Sequence, residues 1–190
     1  MNKDILLCGV GGQGTVLAAK ILAATAMDVG ETVHSAETIG MAQRGGSVTS
    51  HVRIGEALSP LIPEGSADIL MAFEPAEAVR NLQYLRRDGI VIVNSMPVKP
   101  VSESLKGTAY DGGSMIEYLE RKCDCIVMDA VRPDSAKFLN IAMLGVAAGT
   151  GRLGFTKEQL LAEIEKRVPR KFLDANREAF EQGISLGETR

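Results

Sequence analysis

Four consecutive apolar residues, Ile5-Leu6-Leu7-Cys8, run directly into Gly9-Val10-Gly11-Gly12-Gln13-Gly14, and this junction restricts the fold more than any other stretch of the chain. An unbroken apolar run is how a strand buried on both faces of a parallel sheet reads. Beyond the glycines, Leu17, Ile21 and Ala24 recur at helical spacing, and Gly30 stands where a helix over 14–29 would stop. Strand, glycine turn and helix in this order predict the first, central strand of a doubly wound α/β sheet. The glycines satisfy G-x-G-x-x-G in the context that motif requires. They allow a tight turn and a close approach, and the helix N-terminus behind them offers free N–H groups and partial positive charge to an anion. A dinucleotide site also needs an acidic residue at the end of the second strand, about 20 residues on, to hold a ribose hydroxyl. Glu31 falls before the predicted second strand and Glu37 just beyond it, so neither fits cleanly. Two readings stand side by side: a nucleotide-binding turn, or glycines that serve strand–helix packing and contact with another protein.

The alternation continues along the chain. Short strands are predicted within 31–36, as Thr32-Val33-His34-Ser35, and at 47–54, with a polar, glycine-bearing loop between them. The apolar runs Ile69-Leu70-Met71 and Ile90-Val91-Ile92-Val93 flank a helical pattern through Ala76, Val79, Leu82 and Leu85, a further βαβ unit. Cys125 to Met128 supplies another buried strand, and 135–148 a helix of small residues with Phe138, Ile141, Ala142 and Gly145 on one side. Thr156 and Gln159 make a capping-box signature for a charged helix that ends near Pro169, and a last helix is expected over 171–182. The expected fold is α/β: a three-layer, Rossmann-like, mostly parallel sheet with helices on both faces and a helical C-terminal tail. With 190 residues, no internal repeat and no linker-like segment, residues 1–190 are expected to form one domain.

Composition removes several function classes. A formal net charge of -3 supplies no basic field, so neither nucleic acid nor an anionic membrane surface is an expected partner. Aromatic residues make up 4% of the chain with no Trp, too few for a base-stacking surface. The longest low-charge stretch, Gly9 to Met27, is interrupted by Gln13 and Lys20 and is too rich in Gly and Ala to span a bilayer, and no signal peptide is read ahead of it. Three cysteines, one of them inside an apolar run, suit a reducing compartment, so the expected location is cytoplasmic.

Residues Ala36 to Arg53 form a second glycine-bearing segment, Ala-Glu-Thr-Ile-Gly-Met-Ala-Gln-Arg-Gly-Gly-Ser-Val-Thr-Ser-His-Val-Arg, unusual for the equivalent loop of an NAD enzyme. In combination with Gly9 to Gly14 it resembles the gamma-type domain of the 2-oxoacid:ferredoxin oxidoreductases. Three later stretches, Asn140-Ile141-Ala142-Met143-Leu144-Gly145, Val168-Pro169-Arg170-Lys171-Phe172 and Asn176-Arg177-Glu178-Ala179-Phe180, extend the likeness to nearly the full chain. They are similar to the beta-subunit family of the indolepyruvate:ferredoxin oxidoreductases.

The resemblance implies a role in oxidative decarboxylation of a 2-oxoacid by thiamine diphosphate, with acyl transfer to coenzyme A and electrons passed through iron–sulfur clusters to ferredoxin. It implies a large alpha subunit that carries thiamine diphosphate, its Mg ion and the clusters, this chain being the small partner, inactive alone and binding no cofactor by itself. Such an assembly is compatible with a dimer of heterodimers. No catalytic or metal-binding residue is assigned to the chain. Gly11, Gly12, Gln13 and Gly14, with Gln43, Arg44, Gly45, Gly46 and Ser47, are the expected contacts to coenzyme A, to cofactors held by the partner, or to the partner itself. Arg44 offers a forked donor set between Gln43 and two glycines, suited to a phosphate or a carboxylate.

Other chemistry-bearing residues have plainer readings. An iron–sulfur cluster commonly takes four thiolates, and the chain has three cysteines, with Cys123 and Cys125 expected on opposite faces of a strand as structural thiols. His34 and His51 are expected to pack within strands, since no Asp, Glu or Cys grouping around them makes a metal site. The stretch from Glu163 to Arg167 reads as a solvated helix surface, with Leu160, Leu161 and Ile164 turned inward. The alternative function is a stand-alone NAD(P)-dependent oxidoreductase, or a nucleotide-binding regulatory module without chemistry.

Overall fold

The computed structural model describes residues 1–39, 46–98, 110–129 and 137–189. Among them six strands form one sheet: β1 (Lys3–Val10), β2 (Val33–Ile39), β3 (Ser47–Ile54), β4 (Ala67–Ala72), β5 (Leu85–Asn94) and β6 (Asp124–Met128), in the spatial order β2-β3-β1-β4-β5-β6. β1, β4, β5 and β6 pair in parallel, whereas β3 runs antiparallel to both β1 and β2. The sheet is thus mostly parallel, as the sequence pattern predicts, with β3 as the exception. The chain between β2 and β3 is too short for a crossover helix, which a parallel return requires, so β3 must double back. It inserts between β2 and β1 and leaves β2 on the sheet edge.

Among the described residues six α-helices cover the sheet: α1 (Thr15–Asp28), α2 (Pro75–Asn81), α3 (Gly113–Lys122), α4 (Leu139–Gly149), α5 (Lys157–Arg167) and α6 (Leu173–Glu188). Alternation along β1 divides the core in two. Ile5 and Leu7 join Ile21, Leu22, Met143, Leu160 and Phe180 on the face of α1, α4, α5 and α6. Leu6 and Cys8 join Leu70, Val91, Ala78 and Leu119 on the face of α2 and α3. All six residues of β4 are buried, the signature of an interior parallel strand.

Glycine sets the packing of α4 against α6. A Cβ added to Gly183 of α6 would lie 2.1 Å from the Ala142 carbonyl oxygen of α4, and one added to Gly145 would lie 2.2 Å from that of Phe180. Gly149 and Gly187 repeat the contact one turn along, at 2.3 Å each from Ile184 O and Val146 O. Two glycines four residues apart on each helix therefore let α4 and α6 touch backbone to backbone.

Several expectations shift. β2 starts and ends later than 31–36, and the helical pattern after Pro75 stops at Asn81, passes through one 3₁₀ turn at Leu82–Tyr84 and becomes β5. The last helix runs to Glu188, six residues past the expected end, behind a 3₁₀ turn at Arg170–Phe172. α3 has no counterpart in the sequence reading, because only Leu119 of its ten residues is fully buried and its apolar signal is slight. The Thr156–Gln159 capping box is formed in both directions. Glu163 is no solvated residue: it is 3% exposed and neutralised by Lys166 and by Arg167, the latter at 3.1 Å. Cys123 and Cys125 pack against the same apolar cluster, which corrects the opposite-face expectation; a step of two residues returns to the same side of a strand.

Candidate functional site

In an open α/β sheet, ligands bind outside the carboxyl ends of the strands where the chain reverses its direction of progress. Here that point lies between β1 and β4: from β1 the chain turns through α1 toward β2, and from β4 it proceeds the other way. Around it stand the Gly9 to Gly14 turn, Phe73 and Glu74 after β4, Asn94 at the end of β5, and Gly46 and Ser47 opening β3. The two glycine segments singled out in the sequence meet here, since the Gly11 N–H donates to Gly46 O at 2.9 Å. Gln43, Arg44 and Gly45 lie outside the described residues.

Gln13 clasps the crevice. Its Oε1 accepts from Val10 N and its Nε2 donates to Phe73 O, each at 2.8 Å, so one side chain ties the β1 turn to the end of β4. Asn94 Nδ2 donates to the same Phe73 oxygen at 3.1 Å, while its buried Oδ1 has no partner among the described residues. The glycines explain themselves around this clasp. A Cβ at Gly9 would collide with Gln13 Oε1 at 2.7 Å and Phe73 Cβ at 2.9 Å. Gly12 and Gly14 have φ of 103° and 82°, left-handed values that disfavour any side chain. Among the described residues no atom lies within 4 Å of a Cβ built on Gly12.

On the α2 face two buried carboxylates hold the edge together. Glu74, 2% exposed, caps α2 by accepting from Glu77 N at 3.1 Å, accepts from Val98 N at 3.4 Å, and receives the Tyr110 hydroxyl. Burial, then the hydrogen bond and charge of Glu74, push the Tyr110 phenol far up, so it stays a donor. Glu77, 1% exposed, accepts from Ser47 Oγ at 2.6 Å and pairs with Arg80. Burial first, then the charges of Glu77 and Glu74, push the Cys8 thiol well up, so it is no thiolate nucleophile. Sequence reasoning missed both carboxylates, although Glu74-Pro75 with Glu77 three residues after the cap is a legible helix-start signal.

On the α1 face, Gly14 is the N-cap of α1 and lies against Asn140, whose Nδ2 is 2.9 Å from a Cβ built on Gly14. Asn140 is the second residue of α4, so the starts of α1 and α4 adjoin.

The dinucleotide requirement is not met in space. Glu37 pairs in register with Ser50, which pairs with Leu7, so it stands two strands from β1, roughly 10 Å away, and short of the strand end. Glu31 is engaged by the N-terminal ammonium at 2.6 Å. The histidines pack within strands. His34 is half-buried on β2, and His51, 5% exposed, accepts from Ile62 N through Nδ1 at 3.1 Å and meets Tyr84 edge-on. Burial first, then Arg53, lowers the His51 pKa, which keeps the imidazole neutral. Among the described residues no group of three or more His, Cys, Asp or Glu is placed to hold a metal ion, and no helix is long and apolar enough to cross a membrane. An iron–sulfur cluster does not fit this chain: Cys8 and Cys125 point into the core, and the three thiols fall short of the usual four.

Comparison with known proteins agrees with this geometry. The family model described as pyruvate ferredoxin/flavodoxin oxidoreductase matches residues 4–186. The indolepyruvate oxidoreductase subunit IorB of Archaeoglobus fulgidus is 37% identical over 97% of this chain and 95% of its own length. That of Methanothermobacter thermautotrophicus is 34% identical over 97% of each. Among solved structures, the keto/oxoacid ferredoxin oxidoreductase gamma subunit of Geobacter sulfurreducens superposes with a TM-score of 0.71 at 24% identity, covering 99% of both chains. A 2-oxoglutarate:ferredoxin oxidoreductase of Magnetococcus marinus matches all of this chain with 31% of its own, at a TM-score of 0.68 and 19% identity. Both likenesses bear on the fold. The full-length match of sequence and the shared sheet identify this chain as a member of the pyruvate ferredoxin/flavodoxin oxidoreductase family.

Proposed function

We propose that this chain is the small subunit of a cytoplasmic 2-oxoacid:ferredoxin oxidoreductase, with indolepyruvate or a related aryl pyruvate as substrate, and that its 190 residues form one domain. The observation that carries this reading is the end-to-end similarity to IorB subunits of nearly equal length, at 37% identity over 97% of the chain. Thiamine diphosphate, its Mg ion and the iron–sulfur clusters belong to a large alpha subunit, where the thiamine supplies the carbanion chemistry of decarboxylation. What this chain contributes is an edge: the Gly11 to Gly14 turn set beside Gly46 and Ser47, which follow Gln43, Arg44 and Gly45 in the sequence. That edge faces the alpha subunit and borders coenzyme A or the cofactor it holds. Gln13 and Ser47 act mainly as positioning residues, since their side chains are engaged by Val10 N, Phe73 O and Glu77.

The test is co-expression with an alpha subunit bearing thiamine and cluster motifs, followed by assay of 2-oxoacid-dependent ferredoxin reduction. Aryl pyruvates are expected to outrun pyruvate. Equal activity from the alpha subunit alone would overturn the proposal. The stand-alone NAD(P) enzyme predicts tight binding of NAD(H) or NADP(H) to the isolated chain by calorimetry; the distance of Glu37 from the glycine turn predicts none.

A further inference from the structure

The loop over residues 55–66 leaves β3 at the end of the sheet opposite the glycine turn, since Ile54 pairs with Lys3, the first residue of β1. The length of β1 separates the two ends by roughly 23 Å. The loop is pinned along its course. Gly55 N donates to Thr32 O at 2.8 Å, and Glu56 N to Asn2 Oδ1 at 3.3 Å. Arg53, held by the two oxygens of Asp4 at 2.8 and 3.1 Å, donates onward to Ser59 O at 3.0 Å and to Leu61 O at 3.3 Å. Ile62 is buried with its N–H on His51, and Gly65 N closes the loop on Gln83 O at 2.9 Å. Pro60 and Pro63 fix φ between these anchors.

This frame turns apolar side chains outward. Leu58 is 108% exposed, as bare as in an unfolded chain, and Pro60, Leu61 and Pro63 stand exposed after it. Glu56 and Glu64, exposed on either side of that tip in sequence, make no ion pair among the described residues. The cations Arg53 and Arg86 at the same end are taken up by Asp4 and by Asp68 and Asp88. An apolar tip on a loop already held in shape loses little conformational freedom on binding. Its unpaired carboxylates are complementary to a pocket rimmed by Lys or Arg. A two-fold pairing of this loop with its own copy would instead bring acidic tips together.

We infer that the loop over residues 55–66 is a docking knob for the large alpha subunit, with Leu58 seated in an apolar pocket of that chain and Glu56 and Glu64 facing basic side chains at its rim. The inference rests on the proposal that this chain is the small subunit of such a complex. It adds a contact at the far end of the sheet from the glycine turn.

The test is co-expression of the full chain with the alpha subunit, purification of the complex, and mass photometry of its dissociation on dilution. Leu58→Ser should raise the Kd by about tenfold or more, the order expected when a leucine side chain loses its apolar pocket. The thermal midpoint of the isolated variant should match wild type, because the Leu58 side chain is fully exposed. Leu58→Met should keep wild-type affinity. Glu56→Gln combined with Glu64→Gln should weaken the complex less than Leu58→Ser does and make it less sensitive to salt. Wild-type affinity in Leu58→Ser would overturn the knob and leave the proposed function standing, whereas failure of the wild-type chain to join an alpha subunit would overturn both. A dimer of the isolated chain that Leu58→Ser abolishes would make the occupant a second copy and overturn the assignment.

Discussion

Replacing Gly183 by Ala probes the α4–α6 crossing. The new Cβ would sit 2.1 Å from Ala142 O and 2.9 Å from Val146 N, both backbone atoms that no rotamer change can move aside. Restoring ordinary C···O contact requires the helices to part by roughly 1 Å. Such overpacking typically costs about 1–3 kcal/mol, and the contact here, against rigid backbone, belongs at the upper end. Gly→Ala in a helix returns about 1 kcal/mol of propensity, leaving a net loss of about 2 kcal/mol. For a chain of this length that is a fall of about 4–8 °C in thermal midpoint. Gly145→Ala meets Phe180 O across the same crossing, so the double variant should cost less than the sum of the two, because the first substitution has already parted the helices. Ser185→Ala, exposed on α6, is the control and should not destabilise. Chemical and thermal denaturation measure the four variants against wild type. A Gly183→Ala midpoint at or above that of Ser185→Ala would refute close backbone contact between α4 and α6.

The Gln13 clasp makes a second prediction. Gln13→Ala strands Val10 N and removes one of two donors to Phe73 O, for an expected loss of about 1–3 kcal/mol by urea denaturation. Gln13→Glu keeps an acceptor for Val10 N but faces a second acceptor at Phe73 O, so it should be no more stable than the alanine variant. His51 supplies a pH signature. Its folded pKa is lowered by burial and then Arg53, so its contribution is present in full above the unfolded value near 6.5 and is lost as pH falls through the folded one. Protonation would also break the bond from Ile62 N. Stability followed from pH 7.5 downward should therefore drop less steeply in His51→Gln than in wild type, and parallel profiles would count against a neutral buried imidazole.

Much of this was legible in the chain itself. Apolar runs at 5–8, 69–71 and 90–93 announce strands because an interior parallel strand has no face for polar residues, and β3 falls on 47–54 as the pattern predicts. Thr156 and Gln159 announce a cap because both bonds are local. The pairing of Gly9 to Gly14 with the segment from Ala36 to Arg53 carried the family resemblance, which the full-length match bears out. What periodicity could not show was anything decided by residues far apart in sequence. The insertion of β3 between β2 and β1 moves Glu37 two strands from the turn, and with it goes the geometry of a dinucleotide site. Glu163 looks like a surface residue until Lys166 and Arg167 close over it. Asn140 reads as one polar residue in an apolar helix until α4 lays it against Gly14, 126 positions away. Local hydrogen bonding and burial imprint themselves on neighbouring residues and can be read in order; contacts that close long loops leave no periodic trace, and only tertiary structure decides them.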